Sequence, residues 1–123
     1  MTLSNDQFKF LYQLNDGVHN LDAIHNERNL GFMEWSDKTG ELQNIRVNDD
    51  VRRQGVATAL WNRAHELASE QGITRPVHAR ERTKEGDAWA KAVGGAIPTR
   101  RSVRYEGRGV VGQQIDPSKG ESL

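Results

Sequence analysis

The sequence predicts an α+β fold, a single mixed, mainly antiparallel sheet with two main helices, and two observations support it. The first 47 of its 123 residues contain four short segments in which apolar side chains recur at every second position, the period of a strand. Beyond residue 55 the apolar positions recur every three or four residues, the period of a helix. Because this length suits one core, we expect one domain over residues 1–112 and a disordered polar tail over residues 113–123.

The four predicted strands form an antiparallel meander. They cover residues 7–14, 19–27, 29–36 and 41–47. The first strand places three aromatic side chains on one face: Phe8, Phe10 and Tyr12. The sequence Asn-Asp-Gly at 15–17 and a segment ending in glycine at 37–40 have the composition of turns. In the fourth strand, Gln43, Ile45 and Val47 are predicted to share one side.

Two helices follow the meander. The first is predicted over residues 55–71, whose apolar stripe is typical of a helix with one buried face, and Gly72 is well suited to end it. The second covers residues 85–95 and ends at a pair of glycines. Residues 76–81 are compatible with a short strand, and residues 97–111 with one or two more.

The charged residues balance in number but are unevenly distributed. Residues 1–50 carry 4 basic and 9 acidic side chains, whereas residues 51–123 carry 13 and 8. This asymmetry has two interpretations, either two differently solvated faces or a phosphate-bearing ligand bound by the second half. A nucleic-acid partner is not expected, because basic and aromatic residues are not interleaved in the second half.

Composition excludes several classes of site. Without cysteine, the chain has no disulfide, no thiolate metal site and no cysteine nucleophile. The four histidines have no spacing typical of metal ligands, so we expect no metal. No apolar run approaches the ~20 residues that span a bilayer, and the N-terminus lacks the pattern of a signal peptide. We therefore expect a cytoplasmic protein with no membrane partner.

The start of the first predicted helix has the features of an anion site. Arg52 and Arg53 precede Gly55 there, although the positive end of the helix dipole does not favour cations. Unpaired backbone N–H groups at a helix N-terminus bind phosphate readily, and glycine allows a ligand to approach closely. The alternative interpretation is a solvated helix start with two incidental arginines.

The segment Arg-Arg-Gln-Gly-Val-Ala at 52–57 resembles the R/Q-x-x-G-x-G/A signature of the GNAT superfamily of N-acetyltransferases. As in that family, it follows a strand and opens a helix, and the resemblance extends over residues 29–98. It implies a GNAT-like strand–phosphate loop–helix core that binds the pyrophosphate of acetyl-CoA, as in the small members from phages and bacteria. The implied cofactor-binding residues are Val47, Arg52, Arg53, Gln54, Gly55, Val56, Ala57, Thr58 and Thr83.

The resemblance also implies two catalytic positions. The strand before the loop pairs with the pantetheine arm in the family, and a backbone N–H polarises the thioester carbonyl, here that of Ile45. A glutamate eleven positions before the signature is the general base in histone-acetyltransferase members, and this count arrives at Glu41. Glu41 is equally compatible with an ordinary exposed carboxylate after a turn, and Glu34 and His78 are the alternatives.

Two departures from the family pattern bear on function. A tyrosine that protonates the departing thiolate in many members is replaced by Ala90. The Asn-Asp-Gly turn replaces the helices that usually enclose the amine, which favours an open cleft. Six arginines form a basic set compatible either with the 3′-phosphate of coenzyme A or with surface solvation: Arg80, Arg82, Arg100, Arg101, Arg104 and Arg108.

These features together predict an acetyl-CoA-dependent N-acetyltransferase that moves an acetyl group directly to a primary amine, with a protein lysine as the favoured acceptor. The alternative is a non-catalytic acyl-CoA-binding or protein-interaction module on the same fold. The sequence does not distinguish a monomer from a dimer.

Overall fold

The computed structural model describes residues 8–100, which form four strands followed by two helices. These are β1 (Lys9–Asn15), β2 (Val18–His25), β3 (Arg28–Ser36), β4 (Leu42–Val47), α1 (Val56–Gln71) and α2 (Lys84–Val93). The strands form one antiparallel sheet in the order β1-β2-β3-β4, so the predicted meander and the α+β class are confirmed.

Some predictions reach beyond the described residues. The domain limits at 1–112 and the tail at 113–123 stay predictions for this reason. Of the segment expected to contain further strands, residues 97–100 are irregular and the rest lies outside the described range.

Two-residue turns join the first three strands. Asp16 and Gly17 have φ angles of 50° and 75°, and Asn26 and Glu27 have φ angles of 51° and 64°. Positive φ at both central residues is the requirement of the type I′ turn, whose twist matches that of antiparallel strands. A tight turn, and no helix, therefore connects β1 to β2.

The core lies between the sheet and α1. This helix packs against β2, β3 and β4. Its apolar stripe is buried against strand residues such as Leu21, Met33 and Ile45, which are fully inaccessible. The aromatic residues predicted on one face of β1 all join this core: Phe8, Phe10 and Tyr12.

One predicted orientation in β4 is wrong. Ile45 and Val47 are buried, but Gln43, expected on the same side, is exposed. Consecutive residues of β3 pair with Asn44 and Leu42, so Gln43 has no partner on β3. This β-bulge interrupts the alternation of side chains, and an extra residue of this kind has no signature in the apolar pattern.

Residues 76–81, predicted as a short strand, form isolated bridges at Val77 and Glu81 instead of a continuous strand, and the bridge from Val77 is parallel to Glu41. Val77 donates its N–H to the Gly40 carbonyl at 2.9 Å and accepts from the Leu42 N–H at 2.9 Å. His78, the residue after Val77, turns its side chain into the interior. The chain therefore separates from β4 after this bridge.

Both helices end at glycines, as the sequence predicts. Gly72 has a φ angle of 70° and its N–H donates to the Ala68 carbonyl at 3.0 Å. Gly94 has a φ angle of 84° and its N–H donates to the Ala90 carbonyl at 2.9 Å. Glycine adopts a positive φ at little cost, which is why both helices can end at these positions.

A chain of polar contacts fixes the β1–β2 end of the sheet. The Nε2–H of His19 donates to the Asp37 carboxylate at 2.8 Å, and its Nδ1 is hydrogen-bonded to the Tyr12 hydroxyl at 2.6 Å. The hydrogen bond from His19 holds the pKa of Asp37 below its usual value. Thr74 donates to the Asp37 carbonyl at 2.7 Å, which ties this end to the segment after α1.

Candidate functional site

β4 lies at one edge of the sheet and offers backbone groups to a ligand. The Asn48 N–H donates to the Leu30 carbonyl across the β3–β4 pair at 2.9 Å. Bonded and non-bonded pairs alternate in an antiparallel ladder, so the backbone groups of Ile45 and Val47 point away from β3. Their side chains are buried beneath α1, and only their N–H and C=O groups can therefore contact a ligand along this edge.

The loop from β4 to α1 reverses the chain with a short 3₁₀ turn at Asp49–Val51. Arg53 then has a φ angle of 65° and Gly55 one of 85°. A side chain at Gly55 would be strained in this conformation, which is why glycine fits the signature position. Gly55 is the N-cap of α1, and its carbonyl accepts the first helical bond from the Ala59 N–H at 2.9 Å.

The N-terminus of α1 has no side-chain cap. Its first turn contains no acidic residue, and Gly55 has no side chain with which to cap it. The N–H groups of Val56, Ala57 and Thr58 come before Ala59, the first N–H donor of the helical ladder, and have no partner within the helix. With the positive end of the helix dipole and Arg52 four residues before the helix, these donors fit an anionic ligand such as a pyrophosphate.

α2 approaches the same helix end. The Trp89 indole N–H donates to the Thr58 hydroxyl at 3.4 Å, which brings α2 against the first turn of α1. Thr83, a predicted cofactor contact, is the N-cap of α2, and its hydroxyl oxygen accepts from the Gly86 N–H at 3.0 Å. The hydroxyl hydrogen of Thr83 still has the capacity to donate to a ligand.

The two candidate carboxylates lie on the same face of the sheet. The Glu41 carbonyl accepts from the Ser36 N–H at 3.0 Å, so these residues are opposite each other across β3 and the start of β4. Glu34 is two residues before Ser36 and pairs with Asn44. Because side chains alternate along a strand, those of Glu34, Ser36, Glu41 and Asn44 all lie on the face opposite α1. Glu41 is exposed there and Glu34 is half-buried.

His78, an alternative base in the sequence, has a packing role in the structure. It is 3% exposed, and its ring stacks on Trp61 with the centroids 4.2 Å apart. Its Nε2–H donates to the Gly94 carbonyl at 2.9 Å, and burial lowers its pKa. A side chain enclosed in this way does not reach a substrate amine.

Arg82 is a structural residue that the sequence placed in a basic set. It is 1% exposed and pairs with the Asp87 carboxylate at 2.9 Å. It also donates to the carbonyls of Ala79 and Pro98. Arg80 is exposed, as expected of a solvated or phosphate-binding arginine, and Arg101, Arg104 and Arg108 lie outside the described residues.

Residues 8–100 contain no cluster of metal ligands and no membrane-spanning helix. No group of three or more His, Asp or Glu side chains there is arranged to hold a metal ion. Neither helix in this range is long and apolar enough to cross a bilayer.

The sequence profile of the Acetyltransferase (GNAT) family matches residues 4–92, a range that includes the β4 edge, the loop and α1. The chain belongs to this family. Its members use acetyl-CoA, and membership supports acyl-CoA-dependent acetyl transfer as the general activity. Neither the curated proteins nor the solved structures include a significant match to this chain.

Proposed function

We propose that the protein transfers the acetyl group of acetyl-CoA directly to a primary amine. The observation that carries this proposal is the uncapped N-terminus of α1, which a short loop connects to β4, the edge strand of the sheet. Acetyl-CoA supplies an activated thioester: the amine nitrogen forms a new C–N bond, the C–S bond breaks, and coenzyme A leaves as the thiolate.

The cofactor contacts divide between the loop and the strand. The backbone N–H groups at the start of α1 bind the pyrophosphate, and the two loop arginines add positive charge. The backbone of Val47 pairs with the pantetheine arm as an additional strand would. The proposed cofactor-binding residues are Val47, Arg52, Arg53, Gln54, Gly55, Val56, Ala57, Thr58 and Thr83.

Two groups act at the reacting carbon. The outward N–H of Ile45 donates a hydrogen bond to the thioester oxygen, where negative charge develops as the amine attacks. Glu41 accepts the proton that the amine loses, because it is an exposed carboxylate on the open face of the sheet at the start of β4. Glu34 is the alternative proton acceptor.

The proposed acceptor is the side-chain amine of a protein lysine. The tight turn between β1 and β2 supports this choice, because no helix stands there to enclose a small amine. The proposal includes a cytoplasmic location and is compatible with either a monomer or a dimer.

Calorimetry with acetyl-CoA tests the cofactor site. We expect binding to wild type and an affinity at least tenfold weaker in Gly55→Val, because the new side chain occupies the position from which the loop contacts the pyrophosphate. Gly72→Val is the matched control: its φ angle of 70° imposes similar strain at the other end of α1, away from the ligand. Absence of binding to wild type, or equal affinities in the two variants, would contradict the assignment.

Glu41→Gln tests the base. This change should leave the Kd for acetyl-CoA unchanged and lower kcat by about 10²-fold or more, the usual scale for loss of a general base. Glu34→Gln is the parallel variant on the same face. A full rate in Glu41→Gln together with a reduced rate in Glu34→Gln would assign the proton transfer to Glu34.

A second candidate function is a non-catalytic acyl-CoA-binding module. The observation in its favour is Ala90, which is fully buried in α2 where many family members have the tyrosine that protonates the thiolate. Both candidate functions predict that acetyl-CoA binds in calorimetry, but only the enzyme transfers the acetyl group to an amine. Release of free thiol from acetyl-CoA in the presence of a panel of amines, followed with a thiol reagent, supports the enzyme, and its absence supports the binding module.

A further inference from the structure

The face of the sheet opposite α1 carries a row of polar side chains across all four strands. Gln13 pairs with Asn20 across β1 and β2, Asn20 with Glu34 across β2 and β3, and Glu34 with Asn44 across β3 and β4. Side chains paired in this way stand beside each other on one face. We call these four residues the polar row.

The polar row is open to a partner. Neither helix described within residues 8–100 packs on this face, since α1 contacts the sheet from the buried side. Gln13 is exposed, and the other three side chains are half-buried between their neighbours. The amide oxygen of Gln13 accepts from Asn15, and within the same range no ion pair engages Glu34.

One end of the row adjoins the proposed site of transfer. Asn44 immediately precedes Ile45, whose N–H points outward from the edge of the sheet, away from β3. Because α1 covers the buried face, an acceptor reaches this point from the face that bears the row. A substrate on the row therefore has its reactive amine beside the thioester.

The chemistry of the row fits an extended peptide. Amide side chains both donate and accept hydrogen bonds, as peptide groups do. Three inter-strand spacings of about 4.8 Å give the row a length of about 14 Å, which about four or five extended residues match. A free small amine would contact only the Asn44 end of such a flat surface.

The charges favour a lysine-bearing segment over a phosphate-bearing one. Asp22 lies on one side of the row and Glu41 on the other, with Glu34 within it. These carboxylates attract an ammonium group and repel a nucleic-acid backbone. The cations of this face, Lys9 and Arg46, belong to the two outer strands.

We propose that the polar row is the docking surface for an extended, lysine-bearing segment of the acceptor protein, which crosses the strands from Gln13 to Asn44. This inference rests on the proposed acetyl transfer and assigns its acceptor specificity to residues outside the GNAT signature.

A length series of blocked Gly-Ser peptides, each with one lysine, tests the docking surface. With wild type, kcat/KM should rise with length and level off at about five residues, and it should fall as salt screens the carboxylates. Combining Gln13→Ala with Asn20→Ala should raise KM about tenfold for the longer peptides, because two hydrogen bonds are lost. The calorimetric Kd for acetyl-CoA should not change, and Gln71→Ala on α1 is the control for both measurements.

NMR measures binding of the peptide to the polar row independently of acetyl transfer. Titration of the longest peptide into the coenzyme A-bound protein should shift the amide signals of the polar row and not those of the outer face of α1. Equal kcat/KM for lysine amide and the long peptides, an unchanged KM in the double variant, or no shifts in the row would each overturn the docking surface. Shifts in the row without any amine acetylation would instead overturn the proposed function and retain the docking surface.

Discussion

Removal of the Arg82 side chain should destabilise the second half of the domain severely. Its guanidinium contacts three separate parts of the chain: Asp87 in α2, and the carbonyls of Ala79 and Pro98 on either side. Arg82→Ala leaves these acceptors in a site that is 1% exposed. Breaking a buried ion pair from one side typically costs 3–5 kcal/mol, and because Lys91 still pairs with Asp87 at 3.2 Å we expect about 3 kcal/mol.

Urea unfolding followed by tryptophan fluorescence measures this loss. With a typical slope of about 1–3 kcal/mol per molar urea, the midpoint should fall by about 1–3 M. Arg80→Ala is the matched control, since that arginine is two residues away and exposed, and we expect a change within about 0.5 kcal/mol. A double-mutant cycle with Asp87→Ala isolates the pair. If Arg82→Ala and Arg80→Ala unfold at the same urea concentration, the interpretation of Arg82 as a structural residue is refuted.

Two further predictions concern the sheet and the buried histidine. In Gly31→Ala the new Cβ would lie 2.5 Å from the Arg46 carbonyl oxygen, so β4 must move. We expect the free energy of unfolding in urea to fall by about 1–3 kcal/mol and acetyl-CoA to bind more weakly. Unchanged values of both would contradict the close approach of β3 and β4. Burial lowers the pKa of His78 in the folded protein, so the unfolded chain binds more protons below about pH 6.5. The contribution of His78 to the free energy of unfolding is therefore fully present above that pH and is lost as the pH falls toward the lowered pKa of the folded state. Unfolding measured from pH 7.5 to 5 should show this decline, less steeply in His78→Gln, and identical pH profiles would exclude His78 as its source.

The parts of the fold that depend on local pattern are predictable from the sequence. The alternation of apolar residues gives the strands, and the change to a helical period marks α1. Glycine at 17 and 72 marks the turn and the helix end, because each has a positive φ that glycine adopts at little cost. The signature glycine, Gly55, is predictable for the same reason, because its φ of 85° is a local backbone requirement that glycine meets at little cost.

Features that depend on distant partners are not predictable in this way. Arg82 has the same signal in the sequence as the exposed Arg80, and its burial follows from acceptors up to sixteen residues away. His78 is half of a stack with Trp61, which belongs to another element. The bulge at Gln43 depends on the register with β3, which the periodicity of a single strand does not contain.

The end of the sheet that carries Glu41 is held by hydrogen bonds that connect the β1–β2 turn, the end of β3 and the segment after α1. The Asp37 N–H donates to the Gly17 carbonyl at 2.8 Å, and Thr74 donates to the Asp37 carbonyl, so the first turn, the β3 exit and the segment after α1 are connected at one residue. Glu41 is four residues further along, and the bridge through Val77 fixes the backbone on either side of it. A carboxylate that acts as a base needs a fixed position more than it needs enclosure. In the proposed reaction, these backbone bonds would hold Glu41 in place, and its exposed side chain would meet the acceptor on the face opposite α1.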